Sequence, residues 1–250
     1  MRANCRPDRI LLISDLHLEE SRPELTQAFF NFLKGEAADA SDLYILGDLF
    51  NVWIGDDDDR PLNAQVCAAL KQQSDAGLQI YIMHGNRDFL LADAFATNAG
   101  ATLLFDPFVL NYHNKQYLLT HGDALCTKDS DYLDFREMVR NPQWQQDFLA
   151  RSLAERRAFA EQARATSKSM NSNKADDIMD VTQQEVERVL QQLGISTMIH
   201  GHTHRPDIHE FDINGELHRR IVLGDWGKQL WFIALSGASE QLCPVPLEQI

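Results

Sequence analysis

The sequence predicts an α/β fold with an inserted helical segment. Along the first part of the chain, short apolar runs typical of buried strands alternate with helix-length segments. This alternation implies right-handed crossovers and a largely parallel start to the sheet. Residues 126–193 instead have few β-branched residues and many Arg, Gln, Glu, Ala and Leu, which favours several helices. We therefore predict a core made of residues 1–125 and 194–250, with residues 126–193 inserted as a helical unit.

The predicted strands are short, rich in β-branched or aromatic residues, and bounded by Gly, Asp or Asn. They cover residues 10–14, 43–46, 78–83, 117–120, 197–199, 220–223 and 230–235. Helices are predicted at residues 23–34 and 62–76, between the first three strands. Closer strand spacing near residues 108–120 and again after residue 217 predicts antiparallel additions, and the Asn214-Gly215 pair predicts the turn of a hairpin.

The composition excludes several classes of protein. The formal net charge of −14 over 250 residues argues against binding of nucleic acid across a broad surface. The four cysteines form no C-x-x-C pair, which fits a reducing cytosol better than a disulfide framework or a zinc ribbon. The apolar run at residues 10–13 is too short for a signal-peptide core, and no stretch approaches the roughly 20 apolar residues of a membrane span. We expect a cytoplasmic protein, soluble or peripherally attached to a membrane, with no obligate protein partner.

Five stretches place an acid, an amide or a histidine directly after an apolar run. They are Asp15-Leu16-His17, Gly47-Asp48, Gly85-Asn86-Arg87-Asp88, His121-Gly122-Asp123 and Gly201-His202-Thr203-His204. Functional groups gather at the carboxyl ends of parallel strands, so we expect these side chains to meet where the strands of one sheet end. Asp15, Asp48, Asn86 and the four His of these stretches predict a site for two metal ions.

The types of these residues indicate which metals and substrates they suit. Asp15 and His17 are two positions apart, so on a strand they point the same way and can bind one ion. Asp48, alone at its strand end, suits a carboxylate that bridges two ions. Mixed nitrogen and oxygen ligands favour Mn²⁺, Fe²⁺, Co²⁺ or Zn²⁺ over Ca²⁺ and Mg²⁺, without choosing among the first four. Two divalent ions beside two carboxylates leave a net positive charge, and this charge selects an anionic substrate. Paired metals can also clamp a phosphate and activate a water.

In this order, the five motifs resemble the calcineurin-like metallophosphoesterase superfamily, whose pattern is D-x-H, G-D, G-N-[H/R]-[D/E], H and G-H-x-H. The resemblance implies an α/β fold, a two-sheet sandwich with a helical insertion (cap), and a dinuclear centre at its edge.

A longer set of residues resembles the UDP-2,3-diacylglucosamine hydrolase family over nearly the whole chain. The set includes Leu49-Phe50, Trp53-Ile54-Gly55-Asp56-Asp57, Phe89, Leu125-Cys126-Thr127, Phe135-Arg136, and residues 178–181 and 222–226. This lipid A pathway family hydrolyses the pyrophosphate bond of a UDP-diacylglucosamine lipid and usually uses Mn²⁺. The resemblance implies a dinuclear-metal enzyme at the cytoplasmic face of the inner membrane, in which a metal-activated water attacks the UMP phosphorus and releases UMP and 2,3-diacylglucosamine 1-phosphate.

The resemblance also implies the roles of individual residues. One metal would be held by Asp15, His17, Asp48 and His204, and the other by Asp48, Asn86, His121 and His202. The catalytic residues would be Asp48, Arg87 and His202. Substrate contacts would come from Asn86, Arg87, Asp129, Tyr132, Arg164, Ser167, Asn171, Lys174 and His202. Asn51 and Lys128 stand where relatives often carry an acid, and neither would be a ligand.

Several features have two interpretations. Residues 156–174 hold five basic residues against one acid, which fits a solvated face or a surface for an anionic lipid. The four aspartates at residues 56–59 lack the spacing and terminal Glu of an EF-hand and predict a polar loop. Asp88, Asp123 and Asp225 are expected to orient ligands instead of binding metal. The apolar residues of the insertion form either its own core or an acyl-chain groove; they are Leu133, Phe135, Trp144, Phe148, Leu149 and Phe159.

Two other functions compete with hydrolysis of a nucleotide–lipid. A phosphatase or phosphodiesterase for soluble nucleotides would not need a basic and apolar helical cap. A scaffold that has lost catalysis would be expected to lack ligands, whereas this chain retains all seven.

Overall fold

The computed structural model describes residues 8–171, 178 and 180–249, and within them it contains eleven strands and seven α-helices. The strands are β1 Arg9–Ile13, β2 Asp42–Leu46, β3 Gln79–Met83, β4 Ala101–Leu104, β5 Phe108–Tyr112, β6 Lys115–Thr120, β7 Thr197–His200, β8 Asp207–Ile213, β9 Glu216–Val222, β10 Gln229–Ser236 and β11 Ser239–Pro246. The helices are α1 Pro23–Lys34, α2 Pro61–Asp75, α3 Asp93–Ala99, α4 Ser130–Arg140, α5 Pro142–Leu149, α6 Leu153–Asn171 and α7 Gln183–Leu193.

The strands form two sheets, which confirms the two-sheet α/β sandwich. The first sheet has the order β11-β10-β1-β2-β3-β4, with β1 to β4 parallel, as the strand–helix alternation predicted. The second has the order β5-β6-β7-β9-β8, in which β6, β7 and β9 are parallel. The hairpin at Asn214-Gly215 joins β8 to β9, as expected. The placement of all five motifs in one sheet was wrong, because three follow strands of the first sheet and two follow strands of the second.

Strand β1 shows how the sandwich is built from its sequence. Leu11 and Ile13 point to the side of the first sheet that α1, α2 and α3 cover. Ile10 and Leu12 point to the opposite side, where they pack between the two sheets with residues such as Leu119 of β6. Because both faces are buried, the strand is an uninterrupted apolar run with no polar alternation.

The helical insertion, helices α4 to α7, lies between β6 and β7. Val186 and Leu190 of α7 pack with Met198 on the outer face of the second sheet. Trp144 and Phe148 of α5 stack at 4.9 Å, and Phe148 lies 5.3 Å from Phe159 of α6. Phe148 belongs to the main core of the first sheet, and Trp144 and Phe159 pack against it, so these three residues are core, but not a separate core of the insertion. Within the described residues, no helix combines the length and the apolar composition needed to cross a membrane.

The four aspartates at residues 56–59 form structural contacts that the sequence did not reveal. The carboxylate of Asp56 accepts the backbone N–H groups of Ala92 at 3.1 Å and Phe95 at 2.8 Å, and so caps the start of α3. Asp57 pairs with Arg156, and Asp58 and Asp59 pair with a second arginine of α6. For these two of its five basic residues, neither interpretation of the basic run holds, because Arg156 and Arg157 neutralise this loop.

Candidate metal centre

The ends of five parallel strands from the two sheets meet at one edge of the sandwich. Strands β1, β2 and β3 of the first sheet and β6 and β7 of the second each end in one of the five motifs. The side chains brought together there are those of Asp15, His17, Asp48, Asn86, His121, His202 and His204. A hydrogen bond between the loops joins the two sheets, since His202 N–H, after β7, donates to Oδ2 of Asp15, after β1, at 2.8 Å. Within the second sheet, Gly201 N–H donates to the backbone oxygen of His121 at 3.0 Å.

The first group of donor atoms comes from Asp15, His17 and His204. The Nε2 atoms of His17 and His204 are 3.2 Å apart. Oδ1 of Asp15 lies 3.3 Å from Nε2 of His204 and 3.9 Å from Nε2 of His17. Metal–ligand bonds of about 2.1 Å bring neighbouring ligand atoms to separations of this order. The three atoms are therefore spaced to surround one ion.

The second group comes from Asn86, His121, His202 and Asp48. Oδ1 of Asn86 lies 3.0 Å from Nε2 of His121 and 2.9 Å from Nδ1 of His202. Oδ1 of Asp48 lies 3.8 Å from the same His121 nitrogen. Asp15 also comes within 4.8 Å of Asp48 and His121 through a carboxylate oxygen, so its side chain borders both groups.

The two oxygens of Asp48 face different groups. Oδ1 is on the side of His121, whereas Oδ2 lies 3.7 Å from Nδ1 of His17 and 3.5 Å from Nε of Arg87. The His17 and Arg87 nitrogens are buried and have no hydrogen-bond partner. A carboxylate with one oxygen toward each group has the orientation that a bridging ligand requires.

The hydrogen bonding of His121 indicates that a cation belongs beside it. Its Nδ1 is 2.9 Å from the backbone oxygen of Leu46, an acceptor, so in the neutral ring Nδ1 carries the proton and Nε2 has a lone pair. That lone pair faces the acceptor oxygens of Asn86 and Asp48. Three acceptors that converge need a positive charge between them. A backbone carbonyl that fixes the ring in this way is the usual support of a metal-binding histidine.

The pKa shifts of Asp48 and His121 also indicate that the centre needs a positive charge. Burial, only partly offset by attraction to His121, raises the pKa of Asp48 to about 7. Burial lowers the pKa of His121, but the charges of Asp48 and Asp15 outweigh this effect and raise it to about 9. Buried carboxylates that draw a proton onto a neighbouring histidine mark a site that lacks positive charge. The residues present therefore fit divalent metal ions.

The backbone around the centre is held in an uncommon conformation. Seven non-glycine residues among the described ones have a left-handed φ, and five of them are candidate ligands. These five are Asp15, His17, Asp48, His202 and His204, with φ between 49° and 66°. Each such residue costs about 1–2 kcal/mol relative to ordinary backbone. Strain concentrated on the candidate ligands is typical of a functional site.

Asp88 and Gly85 hold the Asp48 turn in place. The Asp88 carboxylate accepts the backbone N–H groups of Asp48 at 3.2 Å, Leu49 at 2.8 Å and Gly85 at 2.8 Å. Gly85 packs so closely on Asp48 that a Cβ atom there would collide with the Asp48 carboxylate and backbone. The expectation that Asp88 orients a ligand agrees with this geometry.

Two arginines stand beside the metal-binding groups. Arg87 donates its backbone N–H to Oδ1 of Asp48 at 2.8 Å, and its side chain lies next to Oδ2. Arg164 of α6 donates from Nη1 to the backbone oxygen of Asn51 at 2.9 Å. Burial and the nearby charge of Arg87 lower the pKa of Arg164. Two guanidinium groups that repel each other beside a metal site create a place for an anion.

Of the other candidate substrate residues, three have described side chains and two do not. Asp129 caps α4 by accepting the N–H of Tyr132 at 3.2 Å. The Tyr132 ring lies 5.8 Å from the His202 ring, so it borders the centre. Ser167 is exposed on α6, one turn beyond Arg164. Asn171 is the last residue of α6, with a side chain outside the description, and Lys174 lies outside the described residues.

One face of α4 supports the centre in a way that sequence reasoning missed. Tyr132 donates its hydroxyl to Oδ2 of Asp123 at 2.6 Å, and Arg136 donates Nε to the same oxygen at 2.8 Å. One turn later, Arg140 donates Nη2 to the backbone oxygen of Gly85 at 2.8 Å. The i, i+4, i+8 spacing of these three donors was a signal available in the sequence, because such residues share one helix face.

The family of the chain follows from its similarity to known proteins. The profile of the calcineurin-like phosphoesterase family matches residues 8–206. A protein of Cellvibrio japonicus named UDP-2,3-diacylglucosamine hydrolase is 52% identical over 226 residues, which cover 90% of this chain and 94% of that protein. A protein of Marinobacter nauticus with the same name is also 52% identical over 226 residues, or 90% of this chain and 93% of its own length. An archaeal phosphodiesterase of known structure aligns with a TM-score of 0.48 at 11% identity, over 95% of this chain and 99% of that one.

Proposed function

Because the chain belongs to the calcineurin-like phosphoesterase family, and within it to the family of UDP-2,3-diacylglucosamine hydrolases, we propose that it cleaves the pyrophosphate bond of UDP-2,3-diacylglucosamine. The products are UMP and 2,3-diacylglucosamine 1-phosphate, an intermediate of lipid A biosynthesis. The observation that carries this proposal is the convergence of seven candidate metal ligands beside two arginines, which together suit a substrate with two phosphates.

Two Mn²⁺ ions are the proposed cofactor. Asp15, His17, Asp48 and His204 would hold one ion, and Asp48, Asn86, His121 and His202 the other. Bound in this way, the ions would polarise the phosphate and lower the pKa of a water molecule for in-line attack. The separation of the donor atoms into two groups, with one Asp48 oxygen toward each, supports this assignment.

Arg87 suits the leaving group of this reaction. Attack on the UMP phosphorus expels a sugar 1-phosphate, whose oxygen needs no proton near neutral pH. An arginine stays protonated and cannot serve as a general acid, but it can neutralise charge that develops on the phosphates. The position of Arg87 beside Oδ2 of Asp48 brings its charge to the reacting end of the substrate. His202, between Asn86 and the Tyr132 ring, would contact the same phosphate.

The helical unit of residues 126–193 is the proposed cap over the lipid part of the substrate. Phe135, Met138 and Leu149 are large apolar residues of α4 and α5 that are exposed to solvent. Exposed apolar side chains on the helical insertion suit acyl chains, whereas a phosphodiesterase for soluble nucleotides would gain nothing from them. The packed aromatic residues Trp144 and Phe148 would then form the base of the cap.

The proposed location is the cytoplasmic face of the inner membrane, with peripheral attachment. The same exposed apolar residues, together with basic residues of the cap, would bind the surface by apolar burial and by attraction to anionic lipids. High salt should therefore release much of the protein from membranes. Retention after both high salt and alkaline washing would contradict peripheral attachment.

The decisive test is hydrolysis of UDP-2,3-diacylglucosamine, followed by the same reaction in ¹⁸O-labelled water. Purified protein with Mn²⁺ should release UMP from UDP-2,3-diacylglucosamine, and chelation should abolish the release. In ¹⁸O-labelled water the label should enter UMP. Label in the lipid phosphate would mean attack at the other phosphorus, and full activity in protein shown to be metal-free would refute the two-metal proposal.

A further inference from the structure

We propose that Arg156 and Asp57 are positioning residues that fix helix α6 so that Arg164 reaches the phosphates of the substrate. Neither residue touches the metal centre, and both belong to segments that sequence reasoning interpreted as a polar loop and a basic surface. The inference rests on the proposed function, since it assigns Arg164 to substrate binding. It adds a specificity element that lies outside the predicted contact residues.

Arg156 is enclosed by the loop that follows the Asp48 motif. Its Nη1 donates to the backbone oxygen of Ile54 at 2.7 Å and to Oδ1 of Asp57 at 2.7 Å. Its Nη2 donates to Oδ2 of Asp57 at 2.5 Å, which completes a two-pronged ion pair. The Arg156 side chain is only 3% exposed, although the Asp57 side chain is 61% exposed. The pair therefore buries the basic end and leaves the acidic end at the surface.

Gly55 provides independent evidence that the loop is shaped around Arg156. Its φ is +132°, a conformation that side-chain-bearing residues rarely adopt. A Cβ atom at this position would lie 2.5 Å from Nη1 of Arg156. The glycine thus allows the loop to close over the guanidinium group.

A second contact connects the same loop to the same helix near the metal centre. Arg164 is eight residues beyond Arg156, which corresponds to a rise of about 12 Å along an α-helix. Its Nη1 donates to the backbone oxygen of Asn51, three residues after Asp48. The loop therefore contacts α6 in two regions, a distal one formed by Arg156 and its neighbour Arg157, and one beside the centre formed by Arg164.

The rigidity of the helix connects these two regions. Because α6 is continuous from residue 153 to residue 171, a shift at Arg156 displaces Arg164 with it. Loss of the Asp57 carboxylate leaves the buried guanidinium with the Ile54 carbonyl as its remaining described acceptor. A buried charge with too few acceptors moves toward solvent, and α6 must move with it. Displacements of this kind far from the reacting atoms weaken substrate alignment.

The neighbouring pair provides a matched control. Arg157 pairs with Asp59 in the same loop, but its side chain is 39% exposed and that of Asp59 is 74% exposed. An exposed pair of this type contributes little. Asp59→Ala removes the same chemical group as Asp57→Ala, two residues away, and leaves the buried Arg156 with its partners.

The activity test compares two substrates. Asp57→Ala and Arg156→Gln should raise KM for UDP-2,3-diacylglucosamine about tenfold, as expected for misaligned binding, and change kcat less than about twofold. Hydrolysis of bis(p-nitrophenyl) phosphate should stay within about twofold of wild type, because that substrate does not need the cap. Arg156→Lys should recover part of the lost affinity, and Asp59→Ala should match wild type on both substrates.

A double-mutant cycle tests whether Asp57 acts through Arg164. If it does, adding Asp57→Ala to Arg164→Ala causes no further rise in KM for the lipid substrate. Additive losses would overturn the positioning role. A wild-type enzyme that releases no UMP would instead refute the proposed function.

Hydrogen exchange provides a readout that needs no substrate. In Asp57→Ala, amides of residues 156–164 should exchange faster than in wild type, because the helix loses the buried ion pair of its distal contact. Asp59→Ala should leave their exchange unchanged. Equal exchange in wild type and Asp57→Ala would overturn the inference whatever the substrate proves to be.

Discussion

The carboxylate of Asp88 accepts the backbone N–H of Asp48 and so holds that residue in its left-handed conformation. The donor–acceptor distance is 3.2 Å, and the φ of Asp48 is 54°. Asp88 has no solvent exposure, and its carboxylate also accepts the backbone N–H groups of Leu49, next to Asp48, and of Gly85 in its own loop. The orientation of the proposed bridging carboxylate therefore depends on a residue that does not bind metal itself.

This dependence predicts the effect of changing Asp88. Asp88→Asn should lower the affinity for Mn²⁺ by about 10–100-fold. The nitrogen of the Asn amide cannot accept a hydrogen bond, so the backbone N–H groups that it faces lose their acceptor. Titration of activity with Mn²⁺ and isothermal calorimetry would measure the loss. Asp93→Asn, on the exposed first turn of α3, is the control and should bind as wild type does. Unchanged affinity in Asp88→Asn would contradict the supporting role.

Asp48→Ala should be the most damaging change among the candidate ligands. It removes a carboxylate that faces both groups of donor atoms and leaves two cations with less negative charge between them. We expect a loss of UMP release of about a hundredfold or more, together with a reduced number of bound metal ions. Metal content by elemental analysis and single-turnover rates would measure both effects. Two ions per chain in the variant would refute a bridging role.

Arg164→Ala should separate the lipid substrate from small phosphodiesters. The guanidinium lies on the cap side of the centre, where burial and Arg87 lower its pKa and where an anion would relieve the repulsion. We expect about a tenfold or larger loss of kcat/KM with UDP-2,3-diacylglucosamine and a much smaller loss with bis(p-nitrophenyl) phosphate. Arg188→Ala, on the exposed face of α7, is the control. Equal losses on both substrates would mean that Arg164 serves the fold or the metal core.

Arg87→Ala should reduce turnover on the pyrophosphate substrate by about a hundredfold, the usual cost of losing a charge that stabilises a transition state. The wild-type enzyme should be poor on alkyl phosphomonoesters, whose leaving group needs a proton that arginine cannot supply. Steady-state rates on the two substrate classes would test both expectations. Efficient hydrolysis of an alkyl phosphomonoester by the wild-type enzyme would contradict the role assigned to Arg87.

Glu240 should contribute to stability in a pH-dependent way. Its carboxylate, 6% exposed on β11, binds Lys115 at 2.5 Å and Tyr117 at 2.7 Å, both on β6 of the other sheet. Burial alone would raise the pKa of Glu240, but these two hydrogen bonds outweigh it and lower the pKa. The stabilisation is therefore present above the ordinary glutamate pKa and is lost as pH falls through the lower value of the folded protein.

Glu240→Gln should lower the free energy of unfolding by about 1–3 kcal/mol at neutral pH, since it weakens charged hydrogen bonds at a buried position. The difference from wild type should shrink as the pH falls below the ordinary glutamate pKa. Urea unfolding at several pH values would measure this. Glu210→Gln, at an exposed partner of Arg219 on β8 of the second sheet, should have little effect.

The convergence of the candidate metal-binding residues could be predicted from the sequence, whereas the arrangement of the strands that carry them could not. A polar residue directly after a buried apolar run identifies a strand end, and that signal is local. The assignment of strands to sheets is not local, since β3 and β6 end in similar motifs but pair with different neighbours. Strand β11 was missed because it is an edge strand with alternating polar residues and two prolines.

The role of the basic run was missed for a related reason. A sequence gives the charge of Arg156 but not its partner, and the aspartate that pairs with it lies 99 residues earlier. Charged residues on a helix are usually solvated, so the buried pair could not be distinguished from a surface. The same limit applied to Arg136 and Arg140, whose acceptors belong to other motifs.

The division of the candidate ligands between two sheets links metal affinity to the stability of the sandwich. Asp15, Asp48 and Asn86 come from one sheet, and His121 and His202 come from the other. Separation of the sheets in the unfolded or partly open chain would destroy both ligand groups, so metal ions bind only when the sheets are docked. By mass action, metal at about 100 times its dissociation constant would add about 2.7 kcal/mol to the free energy that opposes this separation. Chelation should thus lower the thermal midpoint of the whole domain, and thermal stability would serve as an assay of metal occupancy in variants that have lost turnover.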